Sequence, residues 1–378
     1  MDNQVICTRC VLDTTVPEIK FDEQGICNYC KIHDELEKKY PLGEEGEKRL
    51  NEIVNQIKED GKDKKYDCII GVSGGRDSTY TLYMAKKLGL RPLAVHFDNG
   101  WNSEIAVNNI QKSTTKLGVD LYTHVADWEE FKDLQIAFLK ASVPDAEIPT
   151  DYVIISVLYE MALKEGVKYF IVGHNFRTEG TSPIGWTYMD GRYIENVHKL
   201  FGRKKEIKSF PIVNLPKLLN YMFVKGIREI RLLEYVDYNR KKINEVLSDE
   251  LGWVYYGGHH HESIYTQFFQ SYYLTKKFNI DKRKKDYSGM VRSGQMTREE
   301  ALSEIQGKPY PVDQEIVEYA INKLGLSKEE FKKIMDNPNK SFQDYPSYYP
   351  LIRACKFPIG VACKLNLLPK ILELKYLN

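Results

Sequence analysis

The stretch YDCIIGVSGGRDSTYTLYMAKKLG, residues 66–89, decides how this chain is read. Its opening, YDCIIGV, is a short apolar run of the kind that forms a buried strand. Its close, DSTYTLYMAKKLG, spaces apolar residues as a helix does and stops at Gly89. Between them lies SGGRDS, Ser73 to Ser78. Gly74 and Gly75 let backbone amides come close to an anion. The helix that follows adds unpaired N–H groups and the positive end of its dipole. Ser73 and Ser78 can donate hydroxyls. The spacing is near that of the common phosphate loop, G-x-x-x-x-G-K-[ST], but the lysine that would reach the terminal phosphates is missing. Asp77 points instead to a magnesium partner.

The same strand–helix rhythm continues outward. RPLAVHFD (91–98), VDLYTHVA (119–126) and VKYFIVG (167–173) read as strands. SEIAVNNIQKSTTKLG (103–118), WEEFKDLQIAFLKAS (128–142) and TDYVIISVLYEMALKEG (150–166) read as helices. This alternation predicts an α/β fold with a doubly wound parallel sheet. Ligands of such sheets bind at the carboxyl ends of the strands, which is where SGGRDS falls. Upstream, residues 31–65 predict one or two linker helices. Downstream of Gly180 the pattern loosens. Residues 201–235 predict at least one more helix, and residues 312–335 are helical.

The N-terminus carries CTRC (7–10) and CNYC (27–30), with sixteen residues between the pairs. Two Cys-x-x-Cys pairs at this separation have zinc-ribbon spacing. Cys7, Cys10, Cys27 and Cys30 would close a tetrahedral structural Zn2+ site, and metal binding would supply folding energy to a segment too short for a large core. The expected organisation is a zinc ribbon over 1–35, the nucleotide domain over 36–250 and a mainly helical region over 251–378 that completes the substrate site.

Composition narrows the function classes. The 54 basic and 53 acidic residues leave a net charge of +1, which argues against broad nucleic-acid binding. GRKKEIK (202–208) and DKRKKD (281–286) are the local basic patches. No apolar run approaches membrane-spanning length, and the first residues lack signal-peptide order, so a cytoplasmic location is expected. Seven cysteines then read as metal ligands or buried thiols rather than disulfides.

SGGRDS resembles the S-G-G-x-D-S loop of the PP-loop (N-type) ATP pyrophosphatases. The resemblance covers roughly residues 66–180. It implies that Ser73, Gly74, Gly75, Arg76, Asp77 and Ser78 hold the β- and γ-phosphates of ATP with Mg2+. It further implies that the enzyme adenylates a substrate oxygen, releases pyrophosphate, and lets a nitrogen or sulfur nucleophile displace AMP. His96, Phe97, Asp98 and Asn99, ending the second strand, would meet the adenosine. Gly173 and His174, in the family's Gly-His segment, would lie near ATP. The carboxylate pair that often follows is replaced by FRTE, a departure from the family pattern at the place where Asn175 and Glu179 are the candidates for the substrate side.

A closer resemblance extends over most of the chain. YYGGHHHESIYTQFFQSYYLTKKFNIDKRK (255–284), SGQMTREEAL (293–302), DNGWNSEIAVNNI (98–110) and GHNFRTEGTSPIGW (173–186) are similar to N-acetyl sugar amidotransferases. These belong to bacterial surface-glycan pathways, of the lipopolysaccharide and the flagellin-glycan (pseudaminic acid) types. The resemblance implies conversion of an N-acetyl group on a sugar or nucleotide sugar to an acetamidino group. Ammonia would come from a separate glutaminase, since no cysteine here has a glutaminase setting. Lys277 and Arg283 would close over pyrophosphate, and Glu179 and Trp186 would face the sugar, although Trp186 can equally be core. His259, His260, His261 and Glu262 would contact sugar or phosphate, or His259, His261 and Glu262 would hold a second metal. The alternative enzyme is a tRNA-thiolating member of the same superfamily, which would need Cys355 and Cys363 near the ATP site.

Overall fold

Five strands make one parallel sheet in the order β3-β2-β1-β4-β5. They are β1 (Cys68–Gly71), β2 (Pro92–Asp98), β3 (Leu121–Val125), β4 (Tyr169–Ile171) and β5 (Arg228–Ile230). The structure is a computed structural model and describes residues 4–258 and 261–364. Register is set by Ile69 and Ile70 lying between Leu93 and Ala94 of β2 and Phe170 and Ile171 of β4.

Successive residues of a strand face opposite sides of its sheet, and here each side has its own core. Ile69, Leu93, Val95 and Phe170 pack with the helices Trp128–Ala141 and Ile148–Lys164. Cys68, Ile70, Ala94 and Ile171 pack with the helices Gly43–Gly61 and Arg76–Lys87. The doubly wound expectation therefore holds. Helix ends fall where the sequence placed them. Ser103 accepts the Ala106 amide to open the helix Glu104–Leu117, and Gly118, with φ of 59°, closes it. The linker segment forms the helices Asn28–Lys39 and Gly43–Gly61.

The fifth strand adds to the reading of residues 201–235. That stretch does contain the helix Leu215–Leu219, but Arg228–Ile230 is extended and pairs with β4. Three mostly exposed residues at a sheet edge carry no periodic signal, so pairing with β4 alone defines them.

Beyond residue 250 the chain is mainly helical, as expected, from Ile264–Phe268 through Lys356–Lys364. It does not form a core of its own. Leu12, Val16 and Ile32 near the N-terminus, Phe176 beside the sheet, and Phe268, Tyr273 and Phe331 near the C-terminus belong to one continuous buried cluster. No helix among the described residues is long and apolar enough to cross a membrane.

Candidate active site and metal centre

The sheet order reverses between β1 and β4, and the loop Ser73–Gly75 leaves β1 at that switch point. Such crevices receive the ligand in open α/β sheets. Gly74 has φ of 78°, and a Cβ there would collide with the Ala106 carbonyl. The Gly74 carbonyl accepts Nδ2 of Asn109 at 3.2 Å and Nε1 of Trp253 at 3.0 Å. Ser73 and Ser78 tie the loop to itself. The Ser73 amide and hydroxyl both lie 3.1 Å from Ser78 Oγ, and the Gly75 amide reaches Ser73 Oγ at 3.3 Å. Gly173, just after β4, lies over the first turn of the helix Arg76–Lys87. A Cβ on it would sit 2.7 Å from the Ser78 nitrogen. Gly74 and Gly173 are thus required by close backbone approach, which brings two strand ends to one helix N-terminus.

Arg76 and Asp77 form a buried network. Arg76 Nε donates to Asp77 Oδ1 at 3.2 Å and reaches the Tyr238 hydroxyl at 3.1 Å. The Tyr238 hydroxyl donates to Asp77 Oδ1. Burial pushes the Tyr238 phenol well up, and Asp77 adds to the effect, so Tyr238 stays a proton donor. Arg76 thus meets Asp77 and Tyr238 through Nε.

At the end of β2, His96 bonds the Val72 carbonyl through Nδ1 at 2.9 Å and the Asn102 amide through Nε2 at 3.1 Å. Burial lowers its pKa, in keeping with a neutral ring that donates at Nδ1 and accepts at Nε2. Asp98 accepts from Gly100 N and Asn102 Nδ2, and Asn99 accepts from Trp101 N. Phe97 is corrected: its ring packs on Phe131, centroids 5.7 Å apart, within the core.

At the end of β4, His174 stands between two carboxylates. Nδ1 is 3.2 Å from Glu234 Oε1, and Nε2 is 3.5 Å from Glu179 Oε2. Glu234 is 1% exposed, and both its oxygens accept the Phe176 amide. The ring thus has a fixed inner face and an open outer one. Asn175 is corrected: fully buried, it donates to the Leu233 carbonyl and accepts the Arg177 amide, capping the turn Phe176–Glu179. Trp186 is also corrected, since it lies in the core.

The C-terminal region reaches the loop through Trp253, through Tyr256, whose hydroxyl accepts the Arg76 amide at 3.2 Å, and through the Glu262 carboxylate. The segment 262–264 runs antiparallel to 101–103, with Ser103 N bonded to the Glu262 carbonyl at 2.8 Å and Ile264 N to the Trp101 carbonyl at 2.9 Å. This sets Glu262 Oε1 3.4 Å from Ser73 Oγ and 2.8 Å from where a Cβ on Gly75 would stand. Asp77 and Glu262 are hard oxygen donors at a phosphate loop, the donor type magnesium takes together with phosphate oxygens. The His261 ring packs close to Gly258. His259 and His260 lie outside the described residues.

Lys277 and Arg283 are corrected. Lys277 Nζ donates to the carbonyls of Ile334, Met335 and Asn337 at 2.7–3.0 Å, capping the helix Lys328–Asp336. Arg283 pairs with Asp281 at 2.6 Å and donates to the Lys308 carbonyl, lining a cleft of about 350 Å³ against the N-terminal segment. Their charges are committed to structure. The residues that sequence reasoning missed are Asn109, Glu234, Tyr238, Trp253 and Tyr256, whose hydroxyl accepts the Arg76 amide at 3.2 Å. Asn109 lies on the buried face of the helix Glu104–Leu117 with Ala106, Ile110, Ser113 and Thr114, so its polar side chain did not stand out there.

The four cysteines converge as expected. All four sulfurs lie within 4.8 Å of one another and are buried, with Cys7–Cys30 at 3.8 Å, Cys10–Cys27 at 3.7 Å and Cys27–Cys30 at 3.6 Å. Zn–S bonds of about 2.3 Å place tetrahedral sulfurs about 3.8 Å apart, so the residues fit zinc. Hydrogen bonds from Cys27 and Cys30 lower the Cys10 thiol to about 6, and the crowding pushes Cys27 and Cys30 up. Four adjacent thiolates thus need a cation to coexist.

The glycine loop stands at the switch point of a parallel α/β sheet, where such sheets receive a ligand, and the four cysteines form a separate candidate metal centre. Comparison with known proteins narrows the class. Residues 67–174 match the family "Queuosine biosynthesis protein QueC", and residues 262–357 match "LPS biosynthesis protein WbpG-like, C-terminal domain". The uncharacterized protein MJ1599 of Methanocaldococcus jannaschii is 30% identical over 171 residues, 44% of this chain and 58% of its own length. The chain therefore spans little more than half of that relative. A tRNA(Ile)-lysidine synthase of Chlamydia pneumoniae is 35% identical over 77 residues, 19% of this chain and 24% of its own. A solved predicted subunit of tRNA methyltransferase from M. jannaschii aligns with 15% identity and a TM-score of 0.29, over 48% of this chain and 73% of that one. The family matches and the lysidine synthase likeness support a PP-loop ATP pyrophosphatase superfamily member.

Proposed function

We propose that this protein is an ATP-dependent amidotransferase that converts an N-acetyl group of a bacterial surface-glycan sugar, such as pseudaminic acid or a nucleotide-activated N-acetyl sugar, to an acetamidino group. The observation that carries this reading is Glu262. It belongs to the segment that matches a lipopolysaccharide-biosynthesis family, and it stands against the phosphate loop of the segment that matches QueC. Both segments therefore contribute to one site.

The chemistry follows from the weak electrophilicity of an amide carbon. The acetamido oxygen attacks the α-phosphorus of ATP, pyrophosphate leaves, and an O-adenylated imidate forms. Ammonia adds to the imidate carbon to give a tetrahedral adduct bearing –NH3+. That group gives up one proton, and the C–O bond to AMP breaks, leaving the amidine. The loop amides and Ser73 hold the departing pyrophosphate, where fixed donors stabilise developing charge. Asp77 and Glu262 would hold Mg2+, which neutralises the phosphates when bound. His174, oriented by Glu234, takes the proton shed by the nitrogen. Cys68 is buried within β1, and the ammonia source in this reading is a separate glutaminase.

Incubation with ATP, magnesium, ammonium and a panel of N-acetylated nucleotide sugars and nonulosonic acids tests it by mass spectrometry. The expected result is AMP and pyrophosphate together with exchange of one oxygen for NH on one sugar. AMP formed only with unmodified tRNA, with or without a sulfur donor, would overturn it. Glutamine-dependent turnover by this chain alone would remove the separate glutaminase.

A further inference from the structure

The four-cysteine centre is not enclosed by cysteines alone. Arg292, in the last turn of the helix Arg283–Arg292, lays its guanidinium across three of the four sulfurs. Nη2 is 3.1 Å from Cys10 Sγ and 3.9 Å from Cys27 Sγ, and Nε is 3.3 Å from Cys30 Sγ. The fourth sulfur, of Cys7, accepts the Cys27 amide at 3.3 Å. Arg298, opening the next helix, donates to the backbone carbonyls of Cys7 and Cys10 at 2.9–3.2 Å. The same stretch also pairs Lys284 with Asp13 at 2.6 Å.

The same helix, Arg283–Arg292, also touches the candidate active site. A Cβ on Gly289 would meet the Gly180 nitrogen at 2.7 Å and the Phe176 carbonyl at 3.1 Å. Ser293 Oγ donates to the Arg177 carbonyl at 2.9 Å. The turn so held, Phe176–Glu179, carries Glu179 beside His174.

Charge explains what such a contact does. Four thiolates around a divalent ion leave two net negative charges in a buried place. A guanidinium is a planar fork of donors that is always charged, suited to that partner. Thiols of a metal-free centre are weak acceptors, and Arg292 would then be buried without a strong counter-charge, which is costly. We propose that Arg292 is a positioning residue that links the metal centre to the active site: the metal-bound cysteines hold the helix Arg283–Arg292, and that helix holds the turn Phe176–Glu179. Linkage is reciprocal, so docking of this helix also tightens metal binding.

The test uses the full chain, zinc titrated against a chromogenic chelator, and hydrogen exchange with and without zinc. Stripping zinc from the wild-type protein should raise exchange across 283–306 and across 176–180. Arg292→Met should weaken zinc binding by about 10–100-fold and show the raised exchange at 176–180 even when zinc-loaded. Arg292→Lys, which keeps the charge without the fork, should fall between. Zinc affinity within twofold of wild type in Arg292→Met would overturn the proposal. So would zinc removal that loosens only residues 4–30. Should Arg292→Met fail to fold, the wild-type exchange map and Arg292→Lys decide by the same criteria. None of these readouts depends on the sugar substrate.

Discussion

The phosphate loop and the C-terminal region build the same site by opposite means. The loop is made of near neighbours: two serines five residues apart, a glycine with positive φ, and the first turn of the following helix. The C-terminal region works at long range. Glu262 meets Ser73 across 189 residues, and Arg292 meets Cys10 across 282. Local construction tolerates little change, because Ser73 and Ser78 bond each other and Gly74 lies against the Ala106 backbone. Long-range construction depends on the docking of whole elements, so each of its contacts is easier to weaken and harder to foresee.

Variants can break or sharpen this contrast. The largest effect is expected from Asp77→Asn, which keeps the Tyr238 and Arg76 contacts possible but removes the anionic donor. AMP formation should fall roughly a thousandfold with the circular dichroism spectrum unchanged. Glu262→Gln should reduce AMP formation by roughly 10–100-fold, chiefly by raising the KM for magnesium–ATP. Equal losses in the two variants would mean that the distant carboxylate is as indispensable as the local one. Gly173→Ala, with its Cβ against the Ser78 nitrogen, should cost about 1–3 kcal/mol in denaturant unfolding and weaken ATP binding.

The pH response separates the regions further. His33 is 1% exposed and stacks edge-on against Phe176, centroids 4.9 Å apart. Burial pushes its pKa down to about 3, below the unfolded value of about 6.5. The neutral ring is therefore favoured in the folded state. Its stabilising contribution is complete above about pH 6.5 and is lost progressively as pH falls toward 3. His33→Phe keeps a ring against Phe176 and removes the titration. In that window its stability should fall less steeply than wild type, by up to about 1.4 kcal/mol per pH unit. Identical slopes would contradict the buried neutral histidine. The smallest effect is expected from Lys277→Ala: about 1 kcal/mol of stability from the lost helix cap and unchanged KM for ATP. A loss of ATP turnover there would return Lys277 to the active site.

The same contrast explains what could be read from residues alone. Four strands, their helices, the loop and the four-cysteine centre were legible, because each is a local pattern of spacing or periodicity. Gly173 and His174 were singled out by the resemblance together with their place after a strand, and they lie at the end of β4, against the helix Arg76–Lys87 and Glu234. Glu234, Tyr238, Tyr256 and Trp253 were not, since nothing in LLEYVDY (232–238) or WVYY (253–256) distinguishes a residue that meets the candidate site from one that fills a core. Lys277 and Arg283 had the right charge in the right segment, yet docking gave those charges to helix carbonyls and to Asp281. Trp186 and Phe97 were chosen by residue type and proved to be packing. Charge and aromaticity identify what a side chain can do, while tertiary docking decides where it does it.

The most direct measurement follows a single oxygen. The sugar substrate is labelled with oxygen-18 in its acetamido carbonyl and turned over with ATP, magnesium and ammonium, and the nucleotide products are separated by mass. The expected result is AMP carrying the label, because the carbonyl oxygen attacks the α-phosphorus and departs on it. Label in inorganic phosphate, with ADP as the other product, would contradict the account and make the loop a site of γ-phosphoryl transfer.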